Sequence, residues 1–314
     1  MAKVPVIDFS KKGMKPGSPE WDLVKFQVRE AVEAYGCFEA LVEQVLEVRQ
    51  PVFGALEQLF DLPLQTKKLC VSDKPFRGYS VSSSGLFESM SVDDAHIAEN
   101  VERCLTTSFW PQENTNISET LVSFIQLASG LEKTVLRMIL ESFGVEKYTD
   151  ELSESTNYQL RAMKYGKPKP CSDPTLGIVA HCDQNLMTLL YQNEVNGLEI
   201  ENKVGEWISI RPSLHSFVVI IGETLSVWLN GALSSPCHRV MIKENKDRYS
   251  LGLFARMRGG YLAKTPKELV DDHNPMLFKP FDYEEFSKFY HAQIAQGGAA
   301  SGFLRSGLKS YCTL

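Results

Sequence analysis

From residue 157 onwards the chain divides into short β-forming runs, and this feature constrains the fold most strongly. The runs lie at 157–165, 177–180, 186–191, 198–201, 207–210, 217–221, 227–229, 238–242 and 249–255. Glycine, proline, asparagine or aspartate separates most of them, as an antiparallel sandwich or barrel requires. The pattern predicts a β-rich core of the jelly-roll type.

The flanking sequence is helical. Apolar residues at helical spacing predict helices at 21–34, 46–59 and 118–143, and the pattern turns helical again at 283–295. We therefore expect a fold that is mainly β with flanking helices, organised as a helical and mixed N-terminal region (1–153), a jelly-roll core (154–262) and a C-terminal helical segment that covers the pocket (263–314). Residues 71–90 have no clear period, so they predict either a pocket wall or a plain surface loop.

Charge and cysteine content limit the partners. A net charge of −6 argues against a nucleic-acid or anionic-membrane surface. No apolar run reaches the roughly 18 residues of a membrane span, and no signal-peptide pattern begins the sequence, so we expect a cytoplasmic protein. The seven cysteines never form a Cys-x-x-Cys pair. We expect them to be reduced thiols.

The stretch 180–185 places a histidine and an aspartate between two apolar, strand-like runs. Residues i and i+2 of a strand project from the same face, so His181 and Asp183 direct an imidazole and a carboxylate to one point. His238 lies far enough along the chain to come from another strand and supply a third ligand. Two histidines and one carboxylate leave three positions open on a non-haem iron. Zinc hydrolases use the same donors, so the triad does not settle the metal.

A second pair, Arg248 and Ser250, supplies a discriminating feature. The runs 238–242 and 248–255 are separated by a polar turn and predict a hairpin, so these two side chains share one face near the metal. A guanidinium beside a hydroxyl suits a carboxylate. A zinc peptidase does not need such an anchor, whereas an oxygenase that binds the distal carboxylate of 2-oxoglutarate does.

Together these residues resemble the plant 2-oxoglutarate/Fe(II)-dependent dioxygenases. The resemblance rests on His181-x-Asp183, on residues 230–240 around His238, and on Arg248-x-Ser250. Residues 4–9 and 35–38 match the family's N-terminal region, so the resemblance covers essentially the whole chain. Residues 154–158 and 267–281 look most like the branch that holds deoxypodophyllotoxin synthase, steroidal-alkaloid hydroxylases of nightshades and glucosinolate side-chain dioxygenases.

The resemblance implies a double-stranded β-helix (jelly-roll) core that uses Fe(II), 2-oxoglutarate and O2, with ascorbate helpful in vitro. The residues that it implies are His181, Asp183 and His238 as iron ligands and catalytic residues, Arg248 and Ser250 on the distal carboxylate of the co-substrate, and Asn157 at the 2-oxoglutarate end as well. One departure is Gln159, which stands where many relatives carry a tyrosine that touches the co-substrate.

The expected substrate pocket draws on the strand after Arg248, on the 71–90 segment and on the last helix. The candidate residues are Phe254, Arg256, Phe76, Tyr79, Phe87, Phe286, Phe289 and Tyr290. Phe254 matches a position that packs on the substrate in relatives, and each of the other aromatic residues could equally pack in the core. Arg256 or Arg258 is a candidate contact for an acidic or polar substrate group, with a solvated strand end as the alternative. We expect the other histidines in turns or on exposed helix faces, namely His96, His215, His273 and His291.

The sequence thus predicts a cytoplasmic, monomeric oxygenase whose partner is a small molecule, with no nucleic-acid or membrane partner. The expected reaction hydroxylates, desaturates or ring-closes a specialised metabolite such as an alkaloid, steroid or lignan, and releases succinate and CO2. Two alternatives within the family are an auxin (indole-3-acetate) oxidase and a catalytically silent metabolite-binding homologue. A zinc hydrolase is a third class.

Overall fold

The computed structural model describes residues 3–70, 77–82, 84–107, 115–167, 175–295 and 301–314. Over these residues the strands are β1 (Val6–Asp8), β2 (Cys37–Leu41), β3 (Gly78–Val81), β4 (Phe87–Val92), β5 (Thr156–Tyr165), β6 (Thr175–His181), β7 (Met187–Gln192), β8 (Leu198–Glu201), β9 (Trp207–Ser209), β10 (Ser216–Ile221), β11 (His238–Ile242), β12 (Arg248–Met257), β13 (Leu262–Ala263) and β14 (Phe281–Asp282). The helices are α1 (Pro19–Tyr35), α2 (Val45–Asp61), α3 (Leu64–Lys67), α4 (Ala98–Glu102), α5 (Thr115–Ser142), α6 (Thr149–Glu154), α7 (Glu223–Trp228), α8 (Tyr283–Ala295) and α9 (Ser301–Cys312).

Two sheets form the jelly roll. The larger has the order β1-β2-β10-β7-β12-β5-β4-β3, and the smaller has the order β6-β11-β8-β9. Strands β7 and β10 are buried along their whole length, because helices cover one face of the large sheet and the small sheet covers the other. An apolar cluster that includes Met163, Leu190, Leu198 and Val240 fills the space between the sheets. The predicted jelly-roll core is confirmed.

The helical layer is anchored by local sequence signals. Ser18 caps α1 by accepting a hydrogen bond from the Trp21 backbone N at 3.1 Å, and proline follows the cap. Gly36 ends the helix at φ 67°, and a Cβ there would lie 2.5 Å from the Ser234 carbonyl oxygen. Both the left-handed backbone and this close approach require glycine. Helices α1 and α2 pack on the long helix α5 and hold it against the large sheet.

Three expectations about elements differ from the structure. Within 71–90, residues 78–81 and 87–92 form the paired strands β3 and β4, which join the large sheet beside β5. The two strands contact each other partly through polar side chains, such as the Ser80 and Ser89 hydroxyls, which lie 2.8 Å apart. The alternation of apolar and polar residues that predicts a strand is therefore weak in both. Residues 227–229 lie in and directly after α7 rather than in a strand, and the expected C-terminal helical segment holds a second helix, α9, beyond the one predicted at 283–295.

The division into three regions stays a prediction. Strands β1 to β4 come from the first 153 residues and yet lie in the same sheet as β5, β7, β10 and β12 of the expected core. Among the described helices, none combines the length and the apolarity needed to cross a bilayer.

Candidate metal and co-substrate site

The two histidines and the aspartate of the predicted triad meet at one end of the small sheet. His181 ends β6 and pairs directly with His238, the first residue of β11. The Asp183 Oδ1 atom lies 3.7 Å from His181 Nε2 and 3.8 Å from His238 Nε2. The ligand atoms of the three residues all lie within 4.8 Å of one another, a spacing at which they could hold one metal ion.

Neighbouring groups orient each of these side chains. The His181 Nδ1–H donates to the Val179 carbonyl at 2.9 Å, which leaves the Nε2 lone pair toward the triad's centre. The Thr188 hydroxyl donates to Asp183 Oδ2 at 2.5 Å, so Oδ1 is the oxygen that faces the imidazoles. His238 Nδ1 faces the Pro236 carbonyl at 3.4 Å.

The electrostatics keep His181 and Asp183 in their metal-binding forms. Burial lowers the pKa of His181, and the neighbouring His238 lowers it further, so the imidazole is neutral at physiological pH. Burial acts to raise the pKa of Asp183, but the two imidazoles and the Thr188 hydrogen bond outweigh it and hold this pKa below its usual value. Two neutral imidazoles and one carboxylate are the donor set of non-haem Fe(II) sites, and zinc accepts it as well.

A disulfide borders the triad, which corrects the expectation that all cysteines are reduced. Cys182 lies between His181 and Asp183, and it is bonded to Cys237, which directly precedes His238. The pairing of β6 with β11 brings the two Cα atoms to 4.4 Å, within disulfide range. The four other cysteines that the structure describes are free.

The predicted carboxylate anchor is a buried cluster on β12. Arg248 is 1% exposed and Ser250 is fully buried. The Arg248 guanidinium donates to Gln192 Oε1 at 2.8 Å and to Ser250 Oγ at 3.3 Å, and its centre lies 4.8 Å from the centroid of the Tyr165 ring. Its Nε has no partner in the described structure. A buried guanidinium that no carboxylate of the described residues pairs fits a ligand that carries one.

The structure contradicts the prediction that Asn157 lies at the co-substrate end. Strands β5 and β12 pair antiparallel, with Tyr165 opposite Arg248 and Asn157 opposite Arg256. Asn157 is therefore eight residues away along β5, where it accepts a hydrogen bond from Arg258 Nε at 2.8 Å. The tyrosine beside the anchor is Tyr165, so the apparent loss at Gln159 came from a six-residue error in register. The sequence signal that we missed is the tyrosine that ends the 157–165 run.

An inner cavity of about 310 Å³ adjoins the triad. Four of the predicted substrate residues line it, namely Phe87, Phe254, Arg256 and Tyr290. Tyr165 also lines it, and so do residues that the sequence did not single out: Arg161, Met163, Tyr283 and His291. His291 is therefore not on an exposed face, and the expectation for it was wrong.

Three other predicted pocket residues point elsewhere. The Tyr79 hydroxyl donates to Glu88 at 2.6 Å. Phe286 is fully buried, and both it and the partly exposed Phe289 pack on the ring of Tyr311, which is the core-packing alternative for these side chains. Phe76 lies outside the described residues.

Arg256 and Arg258 differ in their surroundings. An outer cavity of about 380 Å³ borders the inner one and shares Arg256, Tyr283, Ser287 and His291 with it. Arg258 lines the outer cavity and not the inner one. The position of Arg256 at the boundary of both cavities makes it the better candidate for a substrate contact.

Comparisons with known proteins agree with this geometry. A model of the 2OG-Fe(II) oxygenase superfamily matches residues 156–257, and a model described as non-haem dioxygenase in morphine synthesis N-terminal matches residues 4–113. The Arabidopsis thaliana "Probable 2-oxoglutarate-dependent dioxygenase AOP1.2" is 44% identical over 300 residues, covering 94% of this chain and 92% of that protein.

Two further matches bear on activity. The Arabidopsis "Probable inactive 2-oxoglutarate-dependent dioxygenase AOP2" is 30% identical over 398 residues, covering 99% of this chain and 98% of that protein. The solved structure of Arabidopsis dioxygenase for auxin oxidation 1 in its binary complex with 2-oxoglutarate has a TM-score of 0.77 and 25% identity, covering 87% of this chain and all of that one.

Proposed function

Because the chain belongs to the 2OG-Fe(II) oxygenase superfamily, we propose that it oxidises a small specialised metabolite at the His181, Asp183 and His238 centre. The observation that carries this proposal is the coincidence of two features, a His/Asp/His triad at metal-binding spacing and the buried Arg248 guanidinium, which no carboxylate of the described residues pairs. A zinc hydrolase accounts for the first and leaves the second unexplained.

Each residue of the triad has a defined part. The Nε2 atoms of His181 and His238 and the Oδ1 atom of Asp183 would hold Fe(II), with the ring and carboxylate orientations fixed by Val179 and Thr188. Bound Fe(II) would activate O2 as the oxidant, and 2-oxoglutarate would supply two of the electrons as it is converted to succinate and CO2.

The co-substrate anchor lies behind the cavity wall. Arg248 and Ser250 would bind the distal carboxylate of 2-oxoglutarate, and Tyr165, whose ring lies over the guanidinium, would add its hydroxyl. Leu190, Leu198 and Val240 make the wall of the inner cavity apolar and would keep water from the carbon chain of the co-substrate.

The cavity supports a small substrate with an apolar body. Its aromatic lining of Phe87, Phe254, Tyr283 and Tyr290 would hold the carbon skeleton near the triad. Hydroxylation, desaturation and ring closure are all compatible with such a cavity. We propose that the protein acts as a single chain on this substrate.

Two alternatives within the family remain. The likeness to dioxygenase for auxin oxidation 1 favours a test of indole-3-acetate as a substrate. The likeness to a relative named as inactive favours a test for a silent homologue. The complete triad and the buried anchor support a catalytically active protein rather than an inactive homologue.

The test is a substrate screen by succinate release. Protein reconstituted with Fe(II), 2-oxoglutarate and ascorbate is given plant alkaloids, steroids, lignans and indole-3-acetate in air. We expect at least one compound to stimulate succinate formation in the wild type and in His215→Gln, since His215 lies in the turn before β10, and not in His238→Gln. Conversion of a compound by the Zn(II)-loaded protein in the absence of 2-oxoglutarate would contradict the proposal.

A further inference from the structure

Two guanidinium groups face the inner cavity without a carboxylate partner. Arg161 on β5 donates from Nη2 to the Ser89 hydroxyl at 2.9 Å, and its Nε is buried without a hydrogen bond. The Nε of Arg256 on β12 is also buried without one. Within the described structure, neither arginine forms an ion pair, whereas Arg239 and Arg305 each do. A buried guanidinium N–H that lacks a hydrogen bond is unfavourable unless a ligand accepts one from it.

The charge of the cavity is positive once a metal is bound. Of the described residues that line the inner cavity, Asp183 supplies the carboxylate, and that group belongs to the metal triad. Burial, and after it the charges of Arg256 and Arg77, together lower the pKa of His291 to about 4. Burial likewise lowers the pKa of Arg161, and the charge of Arg256 adds to this effect. The two guanidinium groups therefore repel each other, and among the described residues that line the inner cavity Asp183 is the one carboxylate that offsets their charge.

The sheet register places both arginines on the face that lines the cavity. Arg161 pairs with Gly252, and Arg256 lies four residues further along β12, with Phe254 between them on the same face. A Cβ on Gly252 would meet the Phe254 ring at 2.6 Å, so glycine at this position lets the ring lie over the strand. The Arg256 guanidinium lies 5.9 Å from the centroid of that ring, and that of Arg161 lies 5.7 Å from the Phe87 ring.

We propose that Arg161 and Arg256 bind an anionic group of the primary substrate, a carboxylate or a sulfate, while its apolar body rests against Phe87 and Phe254. This inference rests on the proposed function and narrows it to an organic acid. The anion site is separate from the co-substrate anchor, because Arg248 does not line the inner cavity. Arg258 takes no part in it, since its guanidinium donates to Asn157 on the outer side.

The experiment compares organic acids with their neutral counterparts. Protein loaded anaerobically with Fe(II) and 2-oxoglutarate is titrated calorimetrically with benzoate, phenylacetate, indole-3-acetate and phenyl sulfate, and with the corresponding amides and phenol. The bound 2-oxoglutarate occupies Arg248, so acid binding reports on the inner cavity. The same titrations are made on Arg256→Gln, on Arg161→Gln, and on Arg258→Gln as the matched control.

We expect at least one acid to bind about tenfold or more tightly than its neutral partner, because each charge-assisted hydrogen bond adds roughly that much. The preference falls to less than about threefold in Arg256→Gln and Arg161→Gln and persists in Arg258→Gln. Arg256 is only partly buried, so its variant remains informative if Arg161→Gln does not fold.

The outcomes are distinguishable. If no acid binds more tightly than its neutral partner, or if the preference survives in Arg256→Gln, the anion site is wrong while the proposed function stands. If 2-oxoglutarate itself does not bind, the proposed function fails. In that case, titrations of the unloaded Arg248→Met protein, with and without Arg256→Gln, still report whether acid binding depends on Arg256.

Discussion

Replacement of Arg248 by methionine should move stability and co-substrate affinity in opposite directions. Without 2-oxoglutarate, Arg248 is a buried cation held by Gln192, Ser250 and the ring of Tyr165, with its Nε unpaired. Methionine fills a similar volume and carries no charge. The substitution therefore removes the desolvation cost of the guanidinium, which affects stability, and its hydrogen bonds to the co-substrate, which affect affinity.

The loss of affinity follows from the hydrogen bonds to the distal carboxylate. Two charge-assisted bonds at about 1.5 to 3 kcal/mol each give a loss of roughly 3 to 6 kcal/mol. Since about 1.4 kcal/mol is a factor of ten, the dissociation constant for 2-oxoglutarate should rise by roughly 10² to 10⁴.

The gain in stability follows from the removal of a buried charge. Desolvation of a guanidinium costs several kcal/mol, and loss of the Arg248 donor leaves Gln192 Oε1 unpaired at about 1 to 3 kcal/mol. We expect a net increase of about 1 to 2 kcal/mol in the free energy of unfolding of the ligand-free protein, which raises its Tm by a few degrees.

The assay combines thermal unfolding of the metal-free, ligand-free protein with anaerobic calorimetric titration of 2-oxoglutarate in the presence of Fe(II). Arg137→Met is the control, because Arg137 lies on the surface of α5 and pairs with Glu141; it should change neither quantity appreciably. A dissociation constant within about threefold of the wild type, or a loss of stability of the size of a core cavity, would refute this account of Arg248.

Three further predictions concern the supports of the site and the core. Thr188→Val removes the hydrogen bond to Asp183 and should weaken Mn(II) binding by about 10- to 100-fold in a metal titration; an affinity equal to that of the control Thr134→Val, at a half-buried position on α5, would contradict this. Burial raises the pKa of Glu132 to about 7 from its usual 4.5, so the folded state binds the extra proton and stability should fall as pH rises through this window. Glu132→Gln should remove that dependence of Tm, and an unchanged slope between pH 5 and 7.5 would count against it. Denatured protein should show two more thiols with reductant than without, because of the Cys182–Cys237 bond; equal counts would rule that bond out.

The sequence predicts those parts of the site that depend on neighbours along one strand. His181 with Asp183, and Arg248 with Ser250, share a face because side chains alternate along a strand. This rule needs no knowledge of pairing. The partners of those residues from other strands depend on register, and that is where the prediction for Asn157 failed. A run of ten residues on β5 offers several registers against β12, and the one observed brings Tyr165 to the anchor.

The disulfide and the cavity arginine Arg161 were missed for a related reason. Cys182 and Cys237 are 55 residues apart, and they meet because each neighbours a ligand on paired strands. Arg161 falls within a run of alternating residues, in which a single charged side chain is usually taken to point to solvent. The opposite face of that run is covered by helices, so the arginine faces the cavity and meets Arg256 there.

The most direct test of the central claim is the visible absorption of the protein after anaerobic addition of Fe(II) and then 2-oxoglutarate. A keto acid that chelates Fe(II) at the triad gives a weak charge-transfer band, which we expect only when metal and co-substrate are both present. The band should be lost in His238→Gln and should require far more 2-oxoglutarate in Arg248→Met. Binding of Fe(II) without any band at saturating 2-oxoglutarate would contradict the assignment of His181, Asp183, His238 and Arg248 to one oxygenase centre.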